Sequence, residues 1–588
     1  MARLHSWWNG AGAPEARLEP RREGASRRRL PELVAACLGV GWFLLAGGWR
    51  ALPPTALDWL RGDTAQHVLG WLFFRSSAWA LPLGAIDGLA WPTGTTVGFT
   101  DANPLLAIPL KLASPLLPRD FQYVGAWLAA CFALQGWFGA RLAALASERP
   151  GWRVLGGALF ALAPALLQRR AHDTLCAHWA LLALLLLHLH ALPDRAAARS
   201  AVRRAAALTV VFTLVHPYLA VMALGLTVAL LARVALVERH FGLGAALLRA
   251  LALLVAQVGL LALQGYFTAA PSHAQGFGLF SFDLLAFVNP WGSSSLLPDL
   301  PLLPEQLEGY AYLGAGALAL VALATGLLVA RGRQPFAASP PDPVARAAAL
   351  VPLLVAVLAM ALFALSPSVR AAGRELLDAR PLFRPLMPLA GPLRSSGRFV
   401  WPLYYLLLTG ALLVVGRRLA RTPRLASALL AGAVALQVVD LAPRAAGAHF
   451  TEHAWRLRAP EWSLARGHYD LVALDPPLVV GVWSRCRGLV YGDDSYWIPL
   501  GELAYRLGMS VNSGQLARGA AERLNAGCDS LTLPVERGAF RPRTLYVVHP
   551  SRLPLFQGRP GAVCGRVEGY DVCVSAEQQD AFRAALAR

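Results

Sequence analysis

The run RGDTAQH sets Asp63 one helical turn ahead of His67 and two residues after Arg61, with Asp58 a little upstream. A carboxylate next to an aromatic-rich helical stretch suits general-base work on a hydroxyl, since a base must reach the proton that it removes. The competing reading is structural: Asp63 directly precedes a helix-like run and would serve as its N-cap. Farther on, TDANP places Asp101 and Asn103 just before Pro104. A proline in the first helical turn makes Asn103 the natural cap. Asp101 is then open to three readings: a metal ligand, an acceptor contact or a solvated loop residue.

The run RRAHDTLCAHW supplies Arg169, Arg170, His172 and Asp173, and LVHPYLAV supplies His216 and Tyr218, both near the ends of apolar stretches. These groups are expected on the same side as Asp63 and to converge on one polar cavity. An isolated histidine near such a turn also reads simply as an interfacial residue. A third run, PLAGPLRSSGRFVWPLYY, puts Arg394 and Arg398 where the chain re-enters an apolar segment. Guanidinium groups there make forked, charge-assisted bonds to phosphate, which is what binding a lipid-borne phosphate or diphosphate needs. Ordinary headgroup binding is the plainer alternative.

What must position these groups follows from composition. A chain of 588 residues that is 56% hydrophobic and only 15% charged needs lipid as the solvent for much of its surface, which excludes a soluble enzyme. The formal charge of +19 comes almost wholly from arginine, Lys111 being the sole lysine. Arg clusters between apolar runs follow from the positive-inside rule, so basicity here does not imply a nucleic-acid partner.

Residues 1–32 form a basic segment expected in the cytoplasm, with no small-residue cleavage site closing the apolar run that follows. Residues 33–441 form a transmembrane domain of about eleven spans oriented by arginine. These are Leu33 to Trp49, Phe121 to Leu142, Trp152 to Leu167, Leu175 to Leu192, Ala205 to Val215 and Leu219 to Val237, then Leu247 to Phe267, Tyr312 to Val329, Ala347 to Leu365, Phe399 to Val415 and Leu425 to Leu441. Ala205 to Val215 is short for a span and is expected to start deeper in the preceding loop. Residues 50–120 form the first outer loop, where Thr64 to Leu83 and Pro104 to Leu117 are expected as helices on the membrane surface. The outer loop from Thr268 to Ala311 has no Arg or Lys, whereas Ser366 to Arg398 carries Arg370, Arg374, Arg380, Arg384, Arg394 and Arg398, against the charge rule.

Residues 442–588 change character to a small exported α/β domain, with strands expected at Tyr469 to Leu474, Thr544 to Val548 and Val572 to Val574 and a helix at Leu500 to Leu507. Its four cysteines permit two disulfides. Val563 to Val574 reads as a hairpin that would join Cys564 to Cys573, leaving Cys486 with Cys528.

An Asp-bearing first outer loop, many spans and an arginine at the re-entry to a late span resemble the GT-C superfamily of polyprenyl-phosphate-sugar glycosyltransferases. More closely, GDTAQHVLGWLFFR, TDANPLL, AHDTLCAHW and SSGRF resemble an uncharacterised family of bacterial inner-membrane proteins grouped with them. The resemblance covers about Leu33 to Leu441. It implies an inverting sugar transfer on the periplasmic face to a glycan, lipid or protein acceptor. Asp63, or Asp58 in second place, would activate the acceptor hydroxyl, and Arg398 would contact the departing lipid phosphate. Some members use a divalent metal such as Mg or Mn, but the strict D-x-D spacing is missing here. The other readings are a transporter or flippase of lipid-linked glycans, for which inverted repeats are expected and none is detected, and a non-catalytic component of an envelope assembly.

Overall fold

The computed structural model describes residues 29–268, 277–331, 343–445, 450, 456–477, 479–480, 496–516 and 525–588. The principal helices, in chain order, are α1 (Leu30–Leu45), α2 (Gly62–Ser76), α3 (Pro104–Leu112), α4 (Val124–Ala144), α5 (Pro150–Ala161), α6 (Trp179–Leu189), α7 (Arg195–Thr213), α8 (Pro217–Ala232), α9 (Leu243–Gln264), α10 (Ala315–Arg331), α11 (Pro343–Leu365), α12 (Trp401–Arg418), α13 (Pro423–Ala445) and α14 (Trp497–Leu507). The chain divides into two compact units. One takes Met1–Trp49, Ala126–Val258 and His273–His449; the other takes Arg50–Gly125, Gly259–Ser272 and Phe450–Arg588.

The first unit is a helical bundle. Among the described residues six helical stretches are long and apolar enough to cross a membrane: Pro150–Ala171, Pro217–Val237, Leu243–Gln264, Val344–Leu365, Ser396–Arg418 and Pro423–Ala445. At a rise of about 1.5 Å per residue, some 20 residues match a hydrocarbon core of about 30 Å. Helix α9 turns Leu247, Leu248, Leu251 and Val255 outward, more than half of each exposed, an apolar face that water would not solvate well. Small residues let α1 and α4 meet backbone to backbone: a Cβ added at Gly39 would lie 2.2 Å from the Phe132 carbonyl oxygen. Each of the eleven segments expected to span overlaps one of these helices. The short one is part of α7, which begins at Arg195 because the Asp194 side chain accepts the Ala196 and Ala197 N–H groups at 2.8 Å.

In the second unit five strands form one sheet: β1 (Leu471–Asp475), β2 (Ser510–Val511), β3 (Thr544–Val548), β4 (Ala562–Val567) and β5 (Tyr570–Ser575), in the order β4-β5-β3-β1-β2. The β1 strand runs parallel to β2 and β3, and β4 and β5 form an antiparallel hairpin. Every residue of β1 and β3 is buried, as expected of central strands covered on both faces. Glu568 and Gly569 both take positive φ at the hairpin tip, the signature of a two-residue turn. That register sets Cys564 opposite Cys573, and the two form a disulfide. Cys528 is also disulfide-bonded, whereas Cys486 lies outside the described residues.

The loop 50–125 folds with this sheet domain as part of the same unit. Helix α2 runs Gly62–Ser76, ending earlier than expected, and its residues from Thr64 to Phe74 are all buried. The Trp71 indole donates to the Phe121 carbonyl at 2.7 Å, and Gln66 donates to the Phe99 carbonyl at 3.2 Å. Phe73 meets Tyr505 of α14 edge to face, and the Arg75 guanidinium clasps carbonyls of Ser114, Leu117, Pro118 and Arg119. Protein therefore covers this helix, in place of the membrane surface expected from its amphipathic reading.

Candidate functional site

The second unit holds the carboxylates of the first outer loop. Asp63 sits in the first turn of α2, half-buried, and does not cap it: Arg61 is the N-cap, and the Thr64 hydroxyl closes the turn by donating to the Arg61 carbonyl at 2.6 Å. Asp63 Oδ1 instead accepts the Gln515 side-chain amide at 2.8 Å. A carboxylate released from capping and oriented by a neighbouring amide can take a proton from a bound hydroxyl. Asp58 lies in an exposed turn ahead of α2.

Asp101 and Asn103 both adopt left-handed backbone, with φ of +51° and +46°, a conformation that Asp and Asn accept more readily than other side chains. Asp101 is 8% exposed and Asn103 fully buried. Asn103 occupies the cap position of α3, yet its side chain makes no capping bond, and neither its Oδ1 nor its Nδ2 has a partner among the described residues. A buried amide in that state calls for something to satisfy it. Beside it, ligand atoms of His67 and Asp101 lie within 4.8 Å of one another. An imidazole and a carboxylate at that spacing suit a divalent cation such as Mn, and less well Mg, which prefers oxygen ligands.

The first unit holds the arginines. Arg398 Nε and Arg169 Nη1 both donate to Glu308 Oε2, at 2.8 and 2.9 Å. Arg169 Nη2 reaches the main-chain carbonyls of Leu307 and Glu308 as well. Both guanidinium groups lie over aromatic rings, Arg398 at 4.6 Å from the centre of Tyr218 and Arg169 at 5.4 Å from that of Trp401. The two arginine side chains are 7% exposed and Glu308 24%, so the carboxylate is the accessible member. Burial alone would raise the Glu308 carboxyl, but the charges and hydrogen bonds of Arg398 and Arg169 hold it well below the usual carboxylate range.

Two glycines bring the arginine to that carboxylate. A Cβ on Gly397 would stand 2.6 Å from Gly309 Cα, so the SSGR turn and the segment bearing Glu308 touch backbone to backbone only because position 397 lacks a side chain. The Gly397 N–H donates to the Phe280 carbonyl at 2.9 Å and the Ser395 N–H to the Tyr218 hydroxyl at 2.9 Å. From Tyr218 a row of rings continues: His216 lies 5.5 Å away and His172 5.4 Å beyond it, edge to face. The His216 ring nitrogen accepts the Tyr218 N–H at 3.2 Å as the cap of α8. His172, His216 and Arg398 thus lie along one row of contacts through Tyr218.

Two other candidates stand differently. Asp173 is buried, and its carbonyl accepts the Trp127 indole at 2.9 Å. Arg394 lies over Phe280 at 5.7 Å.

Sequence reasoning missed Glu308. Its signal lay in a charge match between loops: Thr268 to Ala311 carries Asp283, Asp299, Glu305 and Glu308 and no cation, whereas Ser366 to Arg398 carries the excess arginines. Part of that excess is answered within the protein. Glu308 holds Arg398, and within the arginine-rich loop Glu375 and Asp378 pair with Arg370 and Arg380.

Residues 36–442 match the family described as a domain of unknown function, DUF6311, and residues 461–575 match the DUF6311 C-terminal domain. The chain belongs to the DUF6311 family. No curated protein matches it. Both the Arg–Glu–Arg cluster and the loop carboxylates of this DUF6311 chain fall inside the first match, and the disulfide hairpin falls inside the second.

Proposed function

We propose that this chain is an inverting membrane glycosyltransferase of the GT-C type, moving a sugar from a polyprenyl-phosphate donor to an envelope glycan, lipid or protein. The observation that carries the reading is the pair of buried guanidinium groups, Arg398 and Arg169, fixed around the carboxylate of one glutamate whose side chain is about a quarter accessible. Guanidinium groups held in this way offer forked donors to the phosphate that departs with the lipid, and need little reorganisation as its charge develops. Asp63 takes the proton of the acceptor hydroxyl. The acceptor oxygen bonds to the anomeric carbon as the carbon–oxygen bond to phosphate breaks, and the polyprenyl phosphate leaves with its electron pair.

His67 and Asp101 would hold a divalent cation, and such an ion would supply charge neutralisation of phosphate oxygens. The proposed setting is the bacterial inner membrane, with eleven spans, a cytoplasmic N-terminus and the second unit in the periplasm. Support comes from the helix at each expected span and from the arginines at the inward ends. Because nucleotide sugars stay in the cytoplasm, a sugar used outside has to arrive on a lipid.

A lipid-linked glycan transporter is the second reading, favoured by the same arginines, since cargo binding alone requires them. Reconstitution into proteoliposomes with a labelled polyprenyl-phosphate hexose separates the two. Release of polyprenyl phosphate with transfer of label, lost in Asp63→Asn, supports the transferase. Label that crosses the bilayer still attached to its lipid supports the transporter.

A further inference from the structure

Arg169 and its neighbour Arg170 serve different places. While Arg169 binds Glu308, Arg170 lines a separate, small cavity of about 160 Å³, partly open to solvent, together with Gln168, Trp291, Ser293, Leu441 and Arg444. Among the described residues, no acidic one lines it. Arg170 Nη1 donates to the Ala445 carbonyl at 3.1 Å, which fixes its guanidinium at the C-terminal end of α13. Arg444, exposed on the last turn of that helix, makes no ion pair with any described residue.

The opposite wall is held with effort. Trp291 and Gly292 are successive left-handed residues, with φ of +44° and +78°. For tryptophan this backbone is strained and persists only where the surroundings enforce it. Here Asn289 Oδ1 accepts the Trp291 N–H at 3.2 Å, and Asp299 Oδ1 accepts the Gly292 N–H at 2.6 Å. Next in the chain, the Ser294 hydroxyl is bound to Asp440 of α13. The backbone that carries Trp291 is therefore held in place at the wall of the cavity. Leu441, Pro164 and Leu167 add apolar surface, and Gln168 and Ser293 add polar groups.

We propose that this cavity binds a hexose phosphate. The two arginines meet the phosphate, the apolar C–H face of the pyranose lies on the indole, and Gln168 and Ser293 meet ring hydroxyls. A phosphate alone would make no use of the aromatic wall, and a neutral sugar would make none of the two cations. The ligand comes either as a soluble sugar phosphate or as the headgroup of a lipid. This pocket stands apart from the Arg398 cluster, and the inference does not rest on the transferase reading.

The test is calorimetric titration of the full chain in neutral-lipid nanodiscs with glucose 1-phosphate, glucose and inorganic phosphate. Glucose 1-phosphate is expected to bind about tenfold or more tighter than either fragment, and Arg444→Gln and Trp291→Ala each to weaken it about tenfold. Arg444 is exposed, so its replacement leaves the fold in place. Nanodiscs doped with polyprenyl-phosphate glucose assign the source: competition with the soluble ligand points to the lipid form, and no competition to the soluble one. No saturable binding, equal affinity for phosphate and glucose 1-phosphate, or wild-type affinity in Arg444→Gln would each overturn the proposal.

Discussion

Arg398 and Arg169, far apart in the chain, donate to the same oxygen of Glu308 at 2.8 and 2.9 Å. Two guanidinium groups around one carboxylate sum to a single positive charge, in a place from which water is largely kept away. Such an arrangement stores a demand for anions that one glutamate half meets.

Removing that glutamate should be costly. Glu308→Gln keeps the shape but leaves two buried cations facing a neutral amide, and loss of one partner from a buried ion pair costs about 3–5 kcal/mol. Because Glu308 keeps a quarter of its side chain accessible, the lower end, about 3 kcal/mol, is expected. Thermal unfolding in a mild detergent checks this through a clear fall in Tm. An unchanged Tm would mean that the cluster contributes little to folding.

The pH dependence of that difference has a definite sign. The folded carboxyl of Glu308 lies below its ordinary value of 4.5, so its stabilisation is complete above that pH and is lost as pH falls through the folded pKa. The stability gap between wild type and Glu308→Gln should stay constant from about pH 8 to 6 and close only under strong acid. A gap that closes between those two values would contradict the assigned ion pairs.

Among the carboxylates, the expected order is clear. Asp63→Asn should lower transfer by about 10²–10⁴-fold, the usual contribution of a positioned base. Asp58→Asn, altering an exposed turn, should change it little. Gln515→Ala, which removes the amide that orients Asp63, should lower kcat with KM nearly unchanged, as for a positioning residue. Steady-state kinetics on a labelled polyprenyl-phosphate hexose separates the three, and full activity in Asp63→Asn would rule out this base.

The disulfide between Cys564 and Cys573 closes a loop with a sequence separation of 9. Chain entropy over so short a loop contributes about 2–3 kcal/mol. The double serine variant should therefore unfold its sheet domain at lower temperature while the helical unit keeps its own transition. Tryptophan fluorescence with and without reductant measures this, and identical transitions would argue against the entropic estimate.

Much of this architecture was legible from the chain. Apolar runs long enough to cross a bilayer announce themselves by length, and every expected span overlaps a helix. The hairpin was legible for a local reason, Glu568 and Gly569 standing midway between two cysteines. The fate of α2 was not. Its burial comes from Phe99, Phe121 and Tyr505, whose sequence separation from it reaches hundreds of residues, and an amphipathic pattern reads alike for lipid and for protein.

The site was half legible for the same reason. Arg398, His172 and His216 stood out by type and position. Glu308 did not, because a lone glutamate in a loop has no periodicity, and only the glycine-to-glycine contact at Gly397 and Gly309 brings it to its arginines. The capping roles also went elsewhere. Thr64 closes the first turn of α2, which leaves Asp63 for Gln515, and Asn103 occupies its cap position without using its side chain.

The most direct measurement is mass spectrometry of the lipids that co-purify with the full chain in mild detergent, for wild type, Asp63→Asn and Arg398→Gln. The account expects a polyprenyl-phosphate sugar enriched with wild type, retained or increased with Asp63→Asn, which cannot turn it over, and lost with Arg398→Gln. The same bulk phospholipids in all three preparations, with no polyprenyl phosphate, would contradict it.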